Sequence, residues 1–108
     1  MQMKDALGTL VAGRNLDRND TRAVFDTIMA GEATPAQIAG VLIGLKAKGE
    51  TVEEITGAAE AMRAVSTKVD VDVPNLVDTC GTGGSGAAKR FNISTAAAFV
   101  AAAAGAHV

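Results

Sequence analysis

The chain has 108 residues, the length of one small domain or of part of a larger protein. Hydrophobic residues make up 48% of it and 22 residues are alanine, which favours closely packed helices over a disordered tail. The net charge of −2 argues against a general nucleic-acid binder. A single cysteine, Cys80, excludes an internal disulfide and fits a reducing compartment, so we expect a cytoplasmic protein. We identify no signal peptide and no apolar run long enough to span a bilayer, and therefore expect no membrane association.

Apolar spacing predicts two helices at the start of the chain. The first covers residues 3–13. The second is capped by Asp17 or Asn19, runs to about Met29 and is stopped by Gly31. Their apolar faces consist of Leu7, Leu10 and Val11 in the first helix and of Val24, Phe25, Ile28 and Met29 in the second.

Two further helices have clear start and stop signals. Thr34 is the expected cap of the third helix, Pro35 occupies its first position, and Gly49 ends it. Thr51 and Glu54 form a predicted capping box for the fourth helix. The apolar stripes are Ile38, Val41, Leu42 and Leu45 in the third helix and Val52, Ile55, Ala59 and Met62 in the fourth. The pattern predicts a four-helix bundle domain over residues 1–65, which we expect to form a dimer.

The periodicity changes after the bundle. Residues 66–75 alternate valine with aspartate and read as an extended linker, with room for an edge strand. Residues 76–80 are a predicted short strand, a glycine-rich loop follows, and Ser94 is the expected cap of a helix that a glycine ends after about Ala104. The "AHV" at the end is the expected opening of another strand.

Residues 76–108 therefore predict a β-loop-α unit, the start of an α/β domain, although the span as a whole is mostly α. One strand and one helix cannot bury both faces of a parallel sheet. We therefore expect these 108 residues to be the front end of a longer protein.

The stretch "DTCGTGGSGAAKRFNIST", from Asp78 to Thr95, predicts an anion-binding loop. It has four glycines within six residues, which let backbone N–H groups converge on one ligand. Lys89 and Arg90 follow, and no acidic residue lies beyond Asp78. The last thirty residues therefore have a net positive charge. A phosphate is the expected anion.

Two other phosphate-binding motifs fit this loop poorly. Gly81, Gly83 and Gly86 match G-x-G-x-x-G, but the predicted helix begins too late for a dinucleotide-binding fold, and the ribose-binding acid about 20 residues further on is missing. A Walker A loop would need Gly-Lys-Ser or Gly-Lys-Thr, which does not occur. A glycine-rich turn without a ligand stays open, although the two cations and the "NIST" segment count against it.

The segments "DTCGTGGSG" and "FNISTAAAFVAAAAG" resemble the anthranilate phosphoribosyltransferase family of tryptophan biosynthesis, and residues 31–63 are similar to the helical domain of that family. The resemblance implies a glycosyltransferase that transfers the phosphoribosyl group of 5-phosphoribosyl 1-diphosphate to anthranilate and releases diphosphate. It also implies a homodimer formed through the helical domain. Ser85 stands where the family pattern has aspartate, and the loop is one residue longer.

The resemblance carries roles onto individual residues. It implies that Ser94 ligates Mg²⁺ and that Gly81 also borders the anthranilate site, and it identifies no catalytic residue in this span, which we expect to be inactive alone. The residues it assigns to phosphoribosyl diphosphate are Gly81, Thr82, Gly83, Gly84, Ser85, Lys89, Arg90, Asn92, Ile93, Ser94 and Thr95.

The sequence leaves two alternative functions open. Pyrimidine nucleoside phosphorylases share the architecture, but their Lys-x-Ser-x-Gly-Gly pattern is replaced here by Asp78, Cys80 and Gly81 at the corresponding places. An isolated helical association module without activity is the non-enzymatic alternative. We interpret Cys80 as strand packing rather than as a nucleophile, and His107 as a surface residue beside a strand.

Overall fold

A computed structural model describes residues 1–81 and 92–108 and places five helices in them. The chain divides into two compact units, Met1–Lys68, here called the helical unit, and Val69–Val108, the second unit. The four predicted bundle helices all form. The helices are α1 (Met3–Val11), α2 (Arg18–Met29), α3 (Pro35–Lys48), α4 (Val52–Val65) and α5 (Ile93–Ala103).

The helices of the helical unit begin at the polar caps that the sequence predicts. The Asp17 carboxylate accepts a hydrogen bond of 2.7 Å from the backbone N–H of Asp20, so Asp17 and not Asn19 caps α2. Thr34 caps α3 and Thr51 caps α4, and each belongs to a complete capping box. Such caps satisfy the N–H groups that a helix start leaves unpaired.

Glycines in a left-handed conformation end three of the helices. Gly13, Gly31 and Gly105 have φ values of 68°, 75° and 97°, and in each case the next residue donates its N–H to a carbonyl in the last helical turn. The predicted stops at Gly31, Gly49 and Gly105 are confirmed. The predicted end of the first helix at residue 13 is wrong, because the chain leaves the helix after Val11 to form this turn.

A small apolar core holds the helical unit together. In it α1 packs against α2 and α3, and α2 packs most extensively against α4. Each buried side chain contributes about 1.5–3 kcal/mol to folding if it is as large as valine or leucine. The buried members of the core are Ala6, Leu10, Leu16, Val24, Val41 and Leu45.

The buried face of α4 differs from the prediction. The predicted stripe, Val52, Ile55, Ala59 and Met62, is exposed. The residues of α4 that are buried are Glu54, Gly57 and Ala61. Small residues face α2 because the two helices approach closely. A Cβ placed on Gly57 would overlap the Arg18 carbonyl oxygen and lie 3.1 Å from the Arg22 nitrogen.

The exposed stripe of α4 borders a depression on the helical unit, here called the apolar groove. Leu42, Ile55 and Met62 lie along it with 51%, 59% and 52% of their surface exposed. Its volume is about 320 Å³. The complete lining is Phe25, Leu42, Leu45, Glu50, Glu54, Ile55, Ala58, Ala59 and Met62. The predicted third-helix stripe is thus divided, with Val41 and Leu45 buried in the core and Leu42 half outside it.

A buried carboxylate joins three segments of the helical unit. Glu54 is 1% exposed, and it accepts hydrogen bonds from the Leu16 N–H at 2.9 Å, from the Thr51 N–H at 2.8 Å and from the Lys48 ammonium at 2.8 Å. Burial opposes its charged form, but the hydrogen bonds from Lys48 and from the backbone outweigh that effect. The pKa of Glu54 therefore lies below its usual value.

The second unit has less regular structure among its described residues. The strand predicted over 76–80 is reduced to one isolated parallel bridge between Leu76 and His107, because a strand needs a neighbour along its whole length. Residues 69–73 form neither helix nor strand. No residue of α5 is buried. Within the described residues, no helix is both long and apolar enough to cross a bilayer.

Replacing Gly57 with alanine should destabilise the helical unit by about 1–3 kcal/mol, because the new Cβ has to separate α2 from α4. Gly8→Ala is the matched control. Gly8 lies inside α1 with open space around it, so alanine there should stabilise by about 0.5–1 kcal/mol. Urea unfolding followed by far-ultraviolet circular dichroism measures both. A Gly57→Ala chain as stable as the wild type would contradict the close helix packing.

Replacing Glu54 with glutamine should cost about 3–5 kcal/mol at neutral pH, because the amide leaves the buried Lys48 ammonium without its anion. Glu53→Gln, on the same helical turn but exposed, should change the stability by less than about 0.5 kcal/mol. Equal losses of unfolding free energy for the two substitutions would show that the buried hydrogen bonds of Glu54 do not stabilise the helical unit.

The Glu54 contribution should also depend on pH. Since the folded pKa is depressed, the stabilisation is complete above the usual glutamate pKa of about 4.3 and is lost as the pH falls through the folded pKa. The gap in unfolding free energy between wild type and Glu54→Gln should therefore narrow on acidification. Urea unfolding at pH 7 and pH 3 measures it, and a constant gap would contradict the assignment.

Candidate functional site

The segments before and after α5 lie side by side in the second unit. The Val77 N–H donates to the His107 carbonyl at 2.8 Å, and the His107 N–H donates to the Asn75 carbonyl at 3.1 Å. The His107 ring nitrogen Nδ1 lies 2.8 Å from the Pro74 carbonyl oxygen, and the residue is exposed, as predicted for a position beside a strand. Residues on the two sides of α5 are thus joined by a parallel bridge, the pairing found at the start of a β-α-β unit.

Asp78 turns the chain just before the glycines. Its Oδ1 accepts a hydrogen bond of 2.8 Å from the Cys80 N–H, the geometry of an aspartate turn. The same contact lowers the pKa of Asp78, and the carboxylate in turn raises the pKa of the Cys80 thiol. Cys80 therefore stays a neutral thiol at physiological pH, which supports the interpretation that it is not a nucleophile.

The start of α5 lacks a side-chain cap. Asn92 occupies the cap position, and its side chain makes no capping hydrogen bond, while its carbonyl accepts the first helical hydrogen bond from Ala96 at 3.0 Å. The prediction that Ser94 caps this helix is wrong, because Ile93 already has helical geometry and Ser94 is the second helical residue. The first turn contains no acidic side chain. Its N–H groups and positive dipole end are available to an anion.

A hydrogen bond joins this helix start to the chain before the glycines. The Thr79 hydroxyl donates to the Ser94 carbonyl at 3.1 Å, fifteen residues away in sequence. Both residues border an open depression of about 650 Å³. Its lining is Leu76, Val77, Asp78, Thr79, Cys80, Ser94, Thr95, Ala98 and Val108. The depression thus brings together residues 76–80 and the first turn of α5.

The predicted site residues fall into three groups. Ser94 and Thr95 line the depression. Asn92 and Ile93 lie in the same helix start but outside that lining, and Gly81 is exposed, with open space where a Cβ would stand. The other predicted residues lie outside the described part of the chain. These are Thr82, Gly83, Gly84, Ser85, Lys89 and Arg90.

Two residues at this site were not among the predicted ones. Asp78 and Thr79 line the depression and make the two hydrogen bonds that organise its edge. The turn at Asp78 has a sequence signal, because an aspartate two residues before a small residue often accepts that residue's N–H. The Thr79 bond has no local signal, because its partner is distant in sequence.

The described residues contain no cluster of three histidine, cysteine, aspartate or glutamate side chains that could hold a metal. A tightly caged transition-metal site is therefore not present in them. A hydroxyl such as that of Ser94 suits a different kind of ion, because Mg²⁺ prefers oxygen ligands and keeps several waters.

Comparison with known proteins identifies relatives of the whole chain. Residues 4–66 match the "glycosyl transferase family, helical bundle domain", and residues 73–108 match the "glycosyl transferase family, a/b domain". Proteins named anthranilate phosphoribosyltransferase from Teredinibacter turnerae, Chromohalobacter salexigens and Marinomonas sp. are 56%, 57% and 54% identical to it over all 108 residues. The chain spans 31% of the length of these relatives. Since the helical-bundle match alone covers more than half of the sequence, the chain belongs to this glycosyl transferase family.

Proposed function

We propose that this chain carries the diphosphate-binding part of an anthranilate phosphoribosyltransferase of tryptophan biosynthesis. In the reaction, the bond between C1 of the ribose and the diphosphate oxygen breaks, a bond from C1 to the anthranilate nitrogen forms, and the amine loses a proton. The observation that carries the proposal is the identity of 54–57% to relatives of that name along the entire chain. The single cysteine supports a cytoplasmic location.

The geometry of the described site supports a diphosphate ligand. Among the described residues, no side chain caps the first turn of α5 beside the depression, and an anion there would gain about 0.3–1 kcal/mol from the helix dipole, or about 2 kcal/mol when partly buried. Diphosphate is also the leaving group, so donors fixed around it stabilise the charge that develops as the C1–O bond breaks. These residues therefore serve to position and neutralise rather than to exchange protons.

Magnesium is part of the proposal, with Ser94 as its ligand. The residues fit such an ion, because the Ser94 hydroxyl is an oxygen donor and the residue lines the depression beside the helix start. When bound, the ion would neutralise diphosphate charge and help the leaving group to depart. Ser94 would supply the oxygen ligand, and the Thr79 hydroxyl donates a hydrogen bond to the Ser94 carbonyl.

A substitution at Gly81 tests the diphosphate site. Since a Cβ there meets no atom of residues 1–81 or 92–108 within 4 Å, Gly81→Ala and Gly81→Val should leave thermal stability unchanged. A ligand that approaches the backbone closely would meet the added methyl groups, so we expect diphosphate to bind more than tenfold more weakly to Gly81→Val, with Gly81→Ala in between. Calorimetry with magnesium diphosphate measures the affinity. Equal affinity for wild type and Gly81→Val would contradict the assignment of this residue.

Transfer to anthranilate can be tested in a chimera. The Teredinibacter turnerae relative is 56% identical over the segment, so this chain can replace that segment in it. We expect the chimera to consume anthranilate in the presence of phosphoribosyl diphosphate, which its fluorescence reports directly, and Gly81→Val to suppress that consumption. A folded chimera without activity would contradict the proposal.

We further propose that a second copy of the chain covers the apolar groove, giving a homodimer through the helical unit. Monomers seldom leave a continuous apolar surface of this kind open to water. Leu42→Asp should place a charge in the groove and yield monomers in sedimentation velocity. Ile43→Asp is the matched control, since Ile43 is 68% exposed on the same helix but does not line the groove. A wild-type chain that stays monomeric at all concentrations would contradict the dimer.

A further inference from the structure

We infer that Thr79 is a positioning residue for diphosphate binding, an assignment that rests on the proposed function. Its hydroxyl donates to the Ser94 carbonyl at 3.1 Å. Thr79 lies two residues before Gly81, and Ser94 lies two residues after Asn92. The hydrogen bond therefore joins the two chain segments that flank residues 81–92, at the base of the predicted diphosphate loop.

The contact acts on the part of α5 that would meet the anion. Ser94 is the second residue of the helix, so holding its carbonyl fixes the direction in which the first-turn N–H groups point. No side chain of the described residues caps this helix start, and the Thr79 bond is a long-range contact that connects it to the segment after Leu76. Without that bond, the described hydrogen bonds of the first turn are those of the helix itself, and helix ends lose such bonds readily.

The other side of the contact is itself fixed. Asp78 Oδ1 accepts from the Cys80 N–H at 2.8 Å, and the Val77 N–H donates to the His107 carbonyl at 2.8 Å. Thr79 is thus held between a turn and a parallel bridge. Because Thr79 is itself fixed, it keeps the start of α5 in place before the ligand binds. Less conformational entropy is then lost on binding.

The hydroxyl carries this role, and the methyl group of Thr79 does not. Thr79→Val keeps the shape and branching of the side chain and removes only the donor, whereas Thr79→Ser keeps the donor and removes the methyl group. We expect Thr79→Val to weaken magnesium diphosphate binding about three- to tenfold, the effect of one lost hydrogen bond. Thr79→Ser should bind within about twofold of the wild type.

Thr9→Val is the matched control for the loss of a threonine hydroxyl. The Thr9 hydroxyl donates to the Asp5 carbonyl at 3.0 Å, which is the same chemistry in α1 of the helical unit. This variant should leave diphosphate affinity unchanged. Calorimetry on the 108-residue chain measures all four proteins, and circular dichroism verifies that their helix content is equal.

Amide hydrogen exchange provides a readout that needs no ligand. In Thr79→Val the hydrogen-bonded N–H groups that follow the first turn, those of Ala96, Ala97 and Ala98, should exchange faster than in the wild type, while those near Ala103 at the far end of α5 should not change. Faster exchange along the whole helix would indicate general destabilisation and would overturn the positioning role.

The outcomes separate this inference from the proposed function. If the wild type binds diphosphate and Thr79→Val binds equally well, or if Thr79→Ser binds as weakly as Thr79→Val, Thr79 is not a positioning residue and the proposed function stands. If the wild type does not bind diphosphate, the diphosphate assignment itself is wrong, and this inference fails with it.

Discussion

The arrangement of the helical unit depends on one buried carboxylate. Glu54 is the third residue of α4, and it accepts hydrogen bonds from the loop before α2, from the last turn of α3 and from its own helix cap. Three chain segments thus meet at two oxygen atoms. A charge so deeply buried is tolerated only because every bond is made, and Lys48 supplies the opposite charge. Glu54 belongs to the capping box of α4 and also makes a tertiary contact, because its carboxylate accepts a hydrogen bond from the Leu16 N–H, which is far away in sequence.

Local signals in the sequence predict the helix ends well, and tertiary packing decides the helix faces. Caps and terminal glycines act through residues within one turn, so Thr34, Thr51 and Gly31 could be assigned without knowledge of the fold. The buried face of α4 could not. The apolar stripe there predicted burial, but α2 approaches so closely that Gly57 and Ala61 are the residues that fit. Of the displaced apolar side chains, those of Ile55, Ala59 and Met62 border the groove. The exposed face of α4 and the proposed dimer surface therefore have one cause.

The candidate site shows the same division between local and distant contacts. The sequence predicts a phosphate loop followed by a helix, and the helix forms as α5. The prediction that Ser94 caps α5 is wrong. A serine before an apolar run is typical of a helix cap, but α5 begins one residue earlier, at Ile93. Thr79 could not be found at all from the sequence, since its partner is known only once the chain has folded back along the parallel bridge.

One charged side chain at the described edge of the depression opposes the binding of diphosphate. Asp78 is the only acidic residue there, and the Cys80 N–H lowers its pKa, so it is ionised at neutral pH and repels an anion. The helix start offers about 0.3–1 kcal/mol, or about 2 kcal/mol when partly buried, which such repulsion can offset. The helix start is therefore too weak to hold a strongly charged ligand by itself, which is why the proposed site includes further donors and magnesium. A bound divalent cation would reduce the repulsion between the diphosphate and the Asp78 carboxylate, which gives the proposed magnesium ion an electrostatic reason to be part of the site.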